Sequence, residues 1–428
     1  MIHSYCFSSL NKNIFSFYNF SYKFLSYLLS LLIAILLFVS CTPADRFTKK
    51  EKSSNKTSDL RVLLNDFRAS KILNIESTVF LNDETNILTQ IQTRSKLSCS
   101  VNDIGIKINV NGENYTREKF FLSPSENDAI LKINGKRYRG KIQVSSSNNS
   151  IDLINLVSLE DYVKGVLAKE MPLGKKNENY EALKALAVCV RTYAIRKMND
   201  GKLYYDLYDN TNDQVYGGVD AENPLSNKAA DETDNLILKF NGVPALLYYH
   251  STCGGYTESV QNVFTKNSVP YLITIKDGDE PYCNISPRFT WQEVYTRDDI
   301  VNRLKNYSLL DNSNYELEDI SINDRFESGR VAELEIKVID ESGEQKSLIL
   351  RGNEIRSILR TSDNKNILWS TMFDITTHLN SIVLNGKGFG HGVGLCEWGA
   401  IALSRNGWNF NAILQHYYPG TYLEKYND

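Results

Sequence analysis

Glu170 is a carboxylate where helical periodicity asks for an apolar side chain. Leu159, Tyr162, Val163, Val166 and Leu167 recur at i, i+3, i+4, i+7 and i+8, one apolar stripe of a helix. At about 100° per residue, Glu170 falls near the middle of that stripe. Glu160, Asp161 and Lys164 occupy the polar face. Ser158, with Asp161 three residues on, has the pattern of a capping box, and Pro172 marks the end. Apolar neighbours and the negative end of the helix dipole both raise the pKa of a carboxyl placed there. A carboxyl that stays protonated near neutral pH is what a general acid needs. The bland alternative is a glutamate that snorkels to water where the helix frays.

A second helix follows from Glu181 and is apolar nearly all round, which marks it as buried. Arg191 lies inside it and needs a partner, because an unpaired buried charge is very costly. An internal ion pair or carbonyl contacts would satisfy it; the alternative is that it orients substrate or Glu170.

Two further stretches carry chemistry. Pro244 to Ser251 reads as a buried strand that runs into His250-Ser-Thr-Cys-Gly-Gly-Tyr-Thr-Glu-Ser259. Ser251, Thr252, Cys253, Gly254 and Gly255 suggest backbone that approaches a ligand closely. His250-x-x-Cys253 with Cys283 is a weak metal pattern, and a serine nucleophile lacks its Gly-x-Ser-x-Gly elbow. Near the end, Gly388-Phe-Gly-His391-Gly392-Val-Gly394 frames one histidine with glycines. His391 and Gly392 are therefore expected to face a ligand. The surrounding pattern is neither the dinucleotide fingerprint nor a phosphate loop.

The elements that must position these residues make an α+β chain. From 59 to 154 it is β-rich: Arg61–Leu64, Ser77–Leu81, Gly105–Val110, Ala129–Ile133 and Lys141–Val144 read as strands. Asn111-Gly112 and Asn134-Gly135 are hairpin-type turns. Residues 155–428 read as a mixed α+β core, with an α+β subdomain inserted at about 291–373. A net charge of −3 gives no electrostatic case for nucleic acid. Leu25 to Val39 is almost unbroken apolar, short for a membrane span and suited to an export signal. Residues 42–58 read as a polar tether. An exported chain could oxidise Cys253 with Cys283, which are expected to be bonded or adjacent.

Taken together, several of these runs resemble the SpoIID/LytB family. They are Ser158-Leu-Glu-Asp-Tyr with Glu170-Met-Pro172, Arg191-Thr-Tyr-Ala194, Ser251-Thr-Cys-Gly-Gly-Tyr-Thr-Glu-Ser259, and Gly388-Phe-Gly-His-Gly-Val-Gly394 with Trp398-Gly-Ala400. The resemblance implies a SpoIID-like catalytic domain that acts on peptidoglycan glycan strands. Sporulation members are lytic transglycosylases whose acid/base is the glutamate of Glu-Met-Pro, here Glu170. Other members are amidase enhancers, which would make a cell-wall amidase the partner. Some members hold zinc in a Cys-Asp-Thr-Thr-His-Cys-Gln run; here Tyr208 to Gln214 lacks the ligands, so no metal is expected there, and no cofactor. The family's usual Gln is Glu397 here. Phe38-Val39-Ser40-Cys41 resembles a bacterial lipobox, which implies a signal over 1–41, cleavage before Cys41 and lipid attachment to its thiol. A membrane anchor with Cys41 unmodified is the alternative.

Overall fold

The computed structural model describes residues 59–67, 71–126, 129–201 and 204–427. The export signal, Cys41 and the tether lie outside the described residues. No helix among the described residues is long and apolar enough to cross a membrane.

The fold is α+β. Two antiparallel-rich sheets build the first part. One has seven strands, in the order Leu207–Tyr208, Leu60–Leu63, Ser150–Val157, Lys141–Ser147, Phe120–Pro124, Val79–Asn82 and Ile87–Ile91. The other has six, with Ser95–Asn102, Gly105–Val110 and Glu113–Arg117 as consecutive neighbours. Both expected hairpin turns form. Asn111 and Gly112 have φ of 51° and 95°, and Asn134 and Gly135 have 48° and 80°, the left-handed pair a two-residue turn requires.

The strand Ser150–Val157 leads directly into helix α1, Leu159–Glu170, and α2 follows at Tyr180–Asp200. Ser158 caps α1 by accepting from the Asp161 N–H, as the sequence indicates. Glu170 is the last residue of α1. Pro224–Glu232 is α3. The sheets and these helices share one core: Leu60, Val144 and Leu153 belong to the same buried cluster as Val166, Leu186 and Tyr418.

Pro244 to Ser251 is not one strand. Only Val243–Pro244 and Tyr249–His250 pair, the latter in parallel with Leu395–Cys396. The segment between them is buried at Ala245 and Leu247 but is not paired as a continuous strand, so apolar content alone overstated the strand.

A second buried cluster runs from Trp291 to Leu384. It contains α4, Arg297–Asn306, and α5, Glu354–Leu359, packed with two three-stranded sheets. Its first and last main strands, Thr290–Thr296 and Ser381–Lys387, pair antiparallel from Thr290↔Lys387 to Thr296↔Ser381. The chain therefore enters and leaves this unit at one place. The glycine loop starts immediately after it. Helices α6, Glu397–Arg405, and α7, Phe410–Tyr417, close the fold.

Candidate active site

The Glu170 carboxyl is partly buried at the C-terminus of α1. Burial pushes its pKa up, against the opposing hydrogen bonds from the Val215 N–H and the Tyr249 hydroxyl. The Val215 N–H donates to Glu170 Oε1 at 2.6 Å. Behind it runs a polarised chain. The Tyr162 hydroxyl donates to Gln214 Oε1 at 3.0 Å, and Gln214 Nε2 donates to the Tyr249 oxygen at 3.0 Å. The Tyr249 hydrogen is then free to point at Glu170. Gln214 is 1% exposed and Tyr162 0%, so this chain is a fixed part of the core.

A second carboxyl stands beside the first. Glu397 opens α6 and is 6% exposed. Burial holds its pKa well above the carboxylate range, and the Glu170 charge adds to that. Two nearby carboxyls in low dielectric do not both ionise readily, and Glu397 is the one held neutral.

Tyr249 and Glu397 come from segments held together by the short parallel pair: Tyr249 faces Leu395, and His250 faces Cys396. The Trp398 N–H donates to the Ser251 carbonyl at 3.0 Å. The glycine loop packs on the same strand. A Cβ at Gly388, φ +81°, would lie 2.8 Å from the Thr252 oxygen, and one at Gly394, φ +73°, 2.0 Å from the Tyr248 oxygen. These glycines make room for the protein's own backbone.

The comparisons follow the same residues. Residues 147–240, which carry α1, Glu170 and the Gln214–Val215 turn, match the family described as Stage II sporulation protein (SpoIID). Residues 285–394 match a domain of unknown function, DUF8618. An uncharacterised protein of Brachyspira hyodysenteriae is 32% identical over 86% of this chain and 93% of its own length. The amidase enhancer of Bacillus subtilis is 31% identical over 62% of this chain, and the alignment spans 40% of that longer protein. The stage II sporulation protein D of Bacillus subtilis is 28% identical over 65% of this chain and 77% of its own length.

The chain belongs to the SpoIID/LytB family.

Within this SpoIID fold several residues expected to touch substrate are otherwise engaged. Arg191 is 0% exposed. Its Nε and Nη2 grip Glu160 at 2.6 and 2.7 Å, and Nη1 donates to the Leu236 carbonyl at 2.9 Å. The substrate-binding expectation for Arg191 is therefore corrected: the guanidinium is spent on an internal pair. Thr252 is 0% exposed and shares its hydroxyl with Ser286 at 2.7 Å. Cys253 is also fully buried. His391 accepts from the Val393 N–H at Nδ1, 3.1 Å away, and the ring lies near the Tyr249 backbone. Burial and the charges of Arg356 and Arg330 pull its pKa down to about 3, so the ring is neutral. His391 thus packs the glycine loop against the Tyr249 strand, with Nδ1 engaged by backbone rather than open to a sugar. Gly392 is buried, and a Cβ there would meet the Arg330 guanidinium at 2.6 Å. Gly254 and Gly255 line a cavity of about 880 Å³ with Trp291, Arg325 and Met372. Glu170 does not line that cavity. Ser251 is partly buried.

Arg330 belongs to the hairpin between Tyr315–Arg325 and Val331–Asp340, in the unit with the second core. Its Nη2 donates to the Cys253 carbonyl at 2.7 Å, and the neighbouring Ser328 hydroxyl donates to Glu258.

Sequence reasoning missed Gln214 and Tyr249. Gln214 sat in a stretch that reads as a polar turn. Glu397 was visible as a departure from the family's Gln, without its burial.

Proposed function

We propose that this protein is an exported lytic transglycosylase that cleaves peptidoglycan glycan strands after MurNAc, with Glu170 as its single acid/base. Family membership supports a cell-wall role. The observation that carries the finer reading is the Glu170 carboxyl itself, desolvated, raised in pKa, held by the Val215 N–H and set beside the Tyr249 hydroxyl. Burial favours the protonated acid. The Val215 N–H and Tyr249 hydroxyl stabilise the carboxylate once the proton has left. Hydrolysis of a glycoside usually needs two carboxyls, one of them to activate water or attack the sugar. A lytic reaction needs one. Protonated Glu170 gives its proton to the glycosidic oxygen. As carboxylate it then takes the proton of the MurNAc C6 hydroxyl, whose oxygen attacks C1 and closes the 1,6-anhydro ring. Incubation with denuded glycan strands should yield anhydro-MurNAc ends by mass spectrometry.

Glu397 is held neutral by burial and by the Glu170 charge, so Glu170 is the first of the two to lose its proton. Glu397→Gln keeps a neutral side chain beside Glu170, so the basic limb of the pH–rate profile should stay where Glu170 sets it. A limb displaced to lower pH would show that Glu397 carries charge while Glu170 titrates.

A second reading has a specific observation behind it: one relative is named amidase enhancer, and Glu170 does not line the 880 Å³ cavity beside Gly254 and Gly255. On that reading the chain binds glycan and stimulates a cell-wall amidase. Strand binding with no anhydro product, and faster cleavage by an added amidase, would select it.

The lipobox-like run makes Cys41 the anchoring residue of the mature chain. Intact-mass measurement should show a chain that begins at Cys41 with acyl mass added, and Cys41→Ala should abolish the added mass. A wild-type chain that keeps residues 1–40 and carries no lipid would rule this out.

A further inference from the structure

Four metal-ligating side chains converge outside the Glu170 site. Cys253 follows the Tyr249–His250 strand, Asp277 and Cys283 come from the segment after Tyr271, and Cys396 is the N-cap of α6. All are buried: Cys253, Asp277, Cys283 and Cys396 are each 0% exposed. Their ligand atoms lie within 4.8 Å of one another. We propose that this cluster binds one zinc ion as a closed, structural Cys3Asp site.

The spacing suits a single ion. Zinc–sulfur bonds of about 2.3 Å in a tetrahedron put sulfurs about 3.8 Å apart. Cys253 Sγ and Cys283 Sγ are 3.4 Å apart, close enough to share a metal and too far to be bonded to each other. An iron–sulfur cluster would spread its thiolates much more widely. Thiolate-rich ligation excludes calcium and magnesium, which take oxygen ligands. Four protein ligands leave no open position, the mark of a structural site.

Backbone N–H groups converge on the sulfurs and on the carboxylate, as they do around metal-bound ligands. The Cys253 N–H points to Cys396 Sγ at 3.2 Å, the Gly399 N–H to the same sulfur at 3.4 Å, and the Gly255 N–H to Cys253 Sγ at 3.4 Å. Cys396 sits at a helix N-terminus, where the dipole favours a thiolate. Asp277 accepts from the Cys283 N–H at 2.9 Å and from the Tyr417 hydroxyl at 2.6 Å, which orients it as a ligand. Three thiolates and a carboxylate around a divalent ion leave surplus negative charge. Arg330 supplies a counter-charge. It is 1% exposed, bonds the Cys253 carbonyl, and its Nε and Nη1 have no hydrogen-bond partner among the described residues.

This set differs from the weak His250-x-x-Cys253 pattern. His250 Nδ1 is engaged with the Val393 carbonyl at 3.2 Å and takes no part. It also replaces the expectation of no metal, which rested on that pattern and on the Tyr208–Gln214 run. The ion would fasten the Ser251–Gly255 loop, the Asp277–Cys283 segment and the start of α6 at one point. Glu397 is the next residue after Cys396, so the ion also positions the second carboxyl. The site stands whether or not Glu170 cleaves glycan.

Native mass spectrometry of the mature chain, purified from zinc-supplemented medium, should show one zinc per chain. Chelator-stripped protein given cobalt(II) should develop thiolate-to-cobalt charge transfer and tetrahedral d–d bands. Cys396→Ser and Asp277→Asn should lose the ion, while Cys99→Ser, outside the cluster, should keep it. Wild-type protein without metal overturns the proposal, whether peptide mapping finds a Cys253–Cys283 disulfide or free thiols. The wild-type measurement decides even where a variant does not fold.

Discussion

Glu170→Gln should reduce glycan cleavage by about 10²–10⁴-fold, the usual contribution of a positioned general acid/base. The amide has the same shape and its oxygen can still accept from the Val215 N–H, so the end of α1 keeps its structure. What it lacks is a proton that can leave and return. Strand binding should therefore persist while anhydro-MurNAc formation stops. In the wild type the rate should fall as pH rises through an apparent pKa above the ordinary glutamate value, because burial favours the protonated form. Cleavage by the Gln variant within a few-fold of wild type would remove Glu170 from the chemistry.

Glu160→Ala should destabilise the fold by about 3 kcal/mol, at the low end for a broken buried ion pair. The low end applies because the Glu160 side chain is 25% exposed while that of Arg191 is 0%. The carbonyls of Leu236 and Ala230 remain for the guanidinium but leave its charge uncompensated. The double variant Glu160→Ala/Arg191→Met should recover much of the loss, since an apolar side chain of similar length has no charge to strand. Urea midpoints at unchanged slope would measure both. If the single variant melts as the wild type does, the pair is not what anchors α1 on α2.

The sequence shows most clearly what is periodic and local. The α1 stripe, its Ser158 cap and the misplaced Glu170 can all be read within one helix. The Asn-Gly turns announce their hairpins. Strand Ser150–Val157 is harder to see, because Asp152 and Asn155 interrupt its apolar run. Both are buried. Asn155 donates to the Arg139 and Lys141 carbonyls and accepts from the Tyr216 hydroxyl, and Asp152 accepts from Tyr204. Such polar residues pass for surface until their partners are known. The same reason hid the chain Tyr162–Gln214–Tyr249, whose members are far apart in sequence. His391 shows a different limit. Its glycine frame could be counted, but whether ligand or backbone filled the space could not.

Arg330 has a bearing on how the molecule comes apart. A unit attached through one pair of neighbouring strands would ordinarily be free to unfold by itself. Here its hairpin places a buried guanidinium on the Cys253 carbonyl and a hydroxyl on Glu258. If either core opened alone, it would strand a charge or a carboxylate that the other had satisfied. Partial unfolding is thus penalised from both directions, and the two cores are coupled into one cooperative transition.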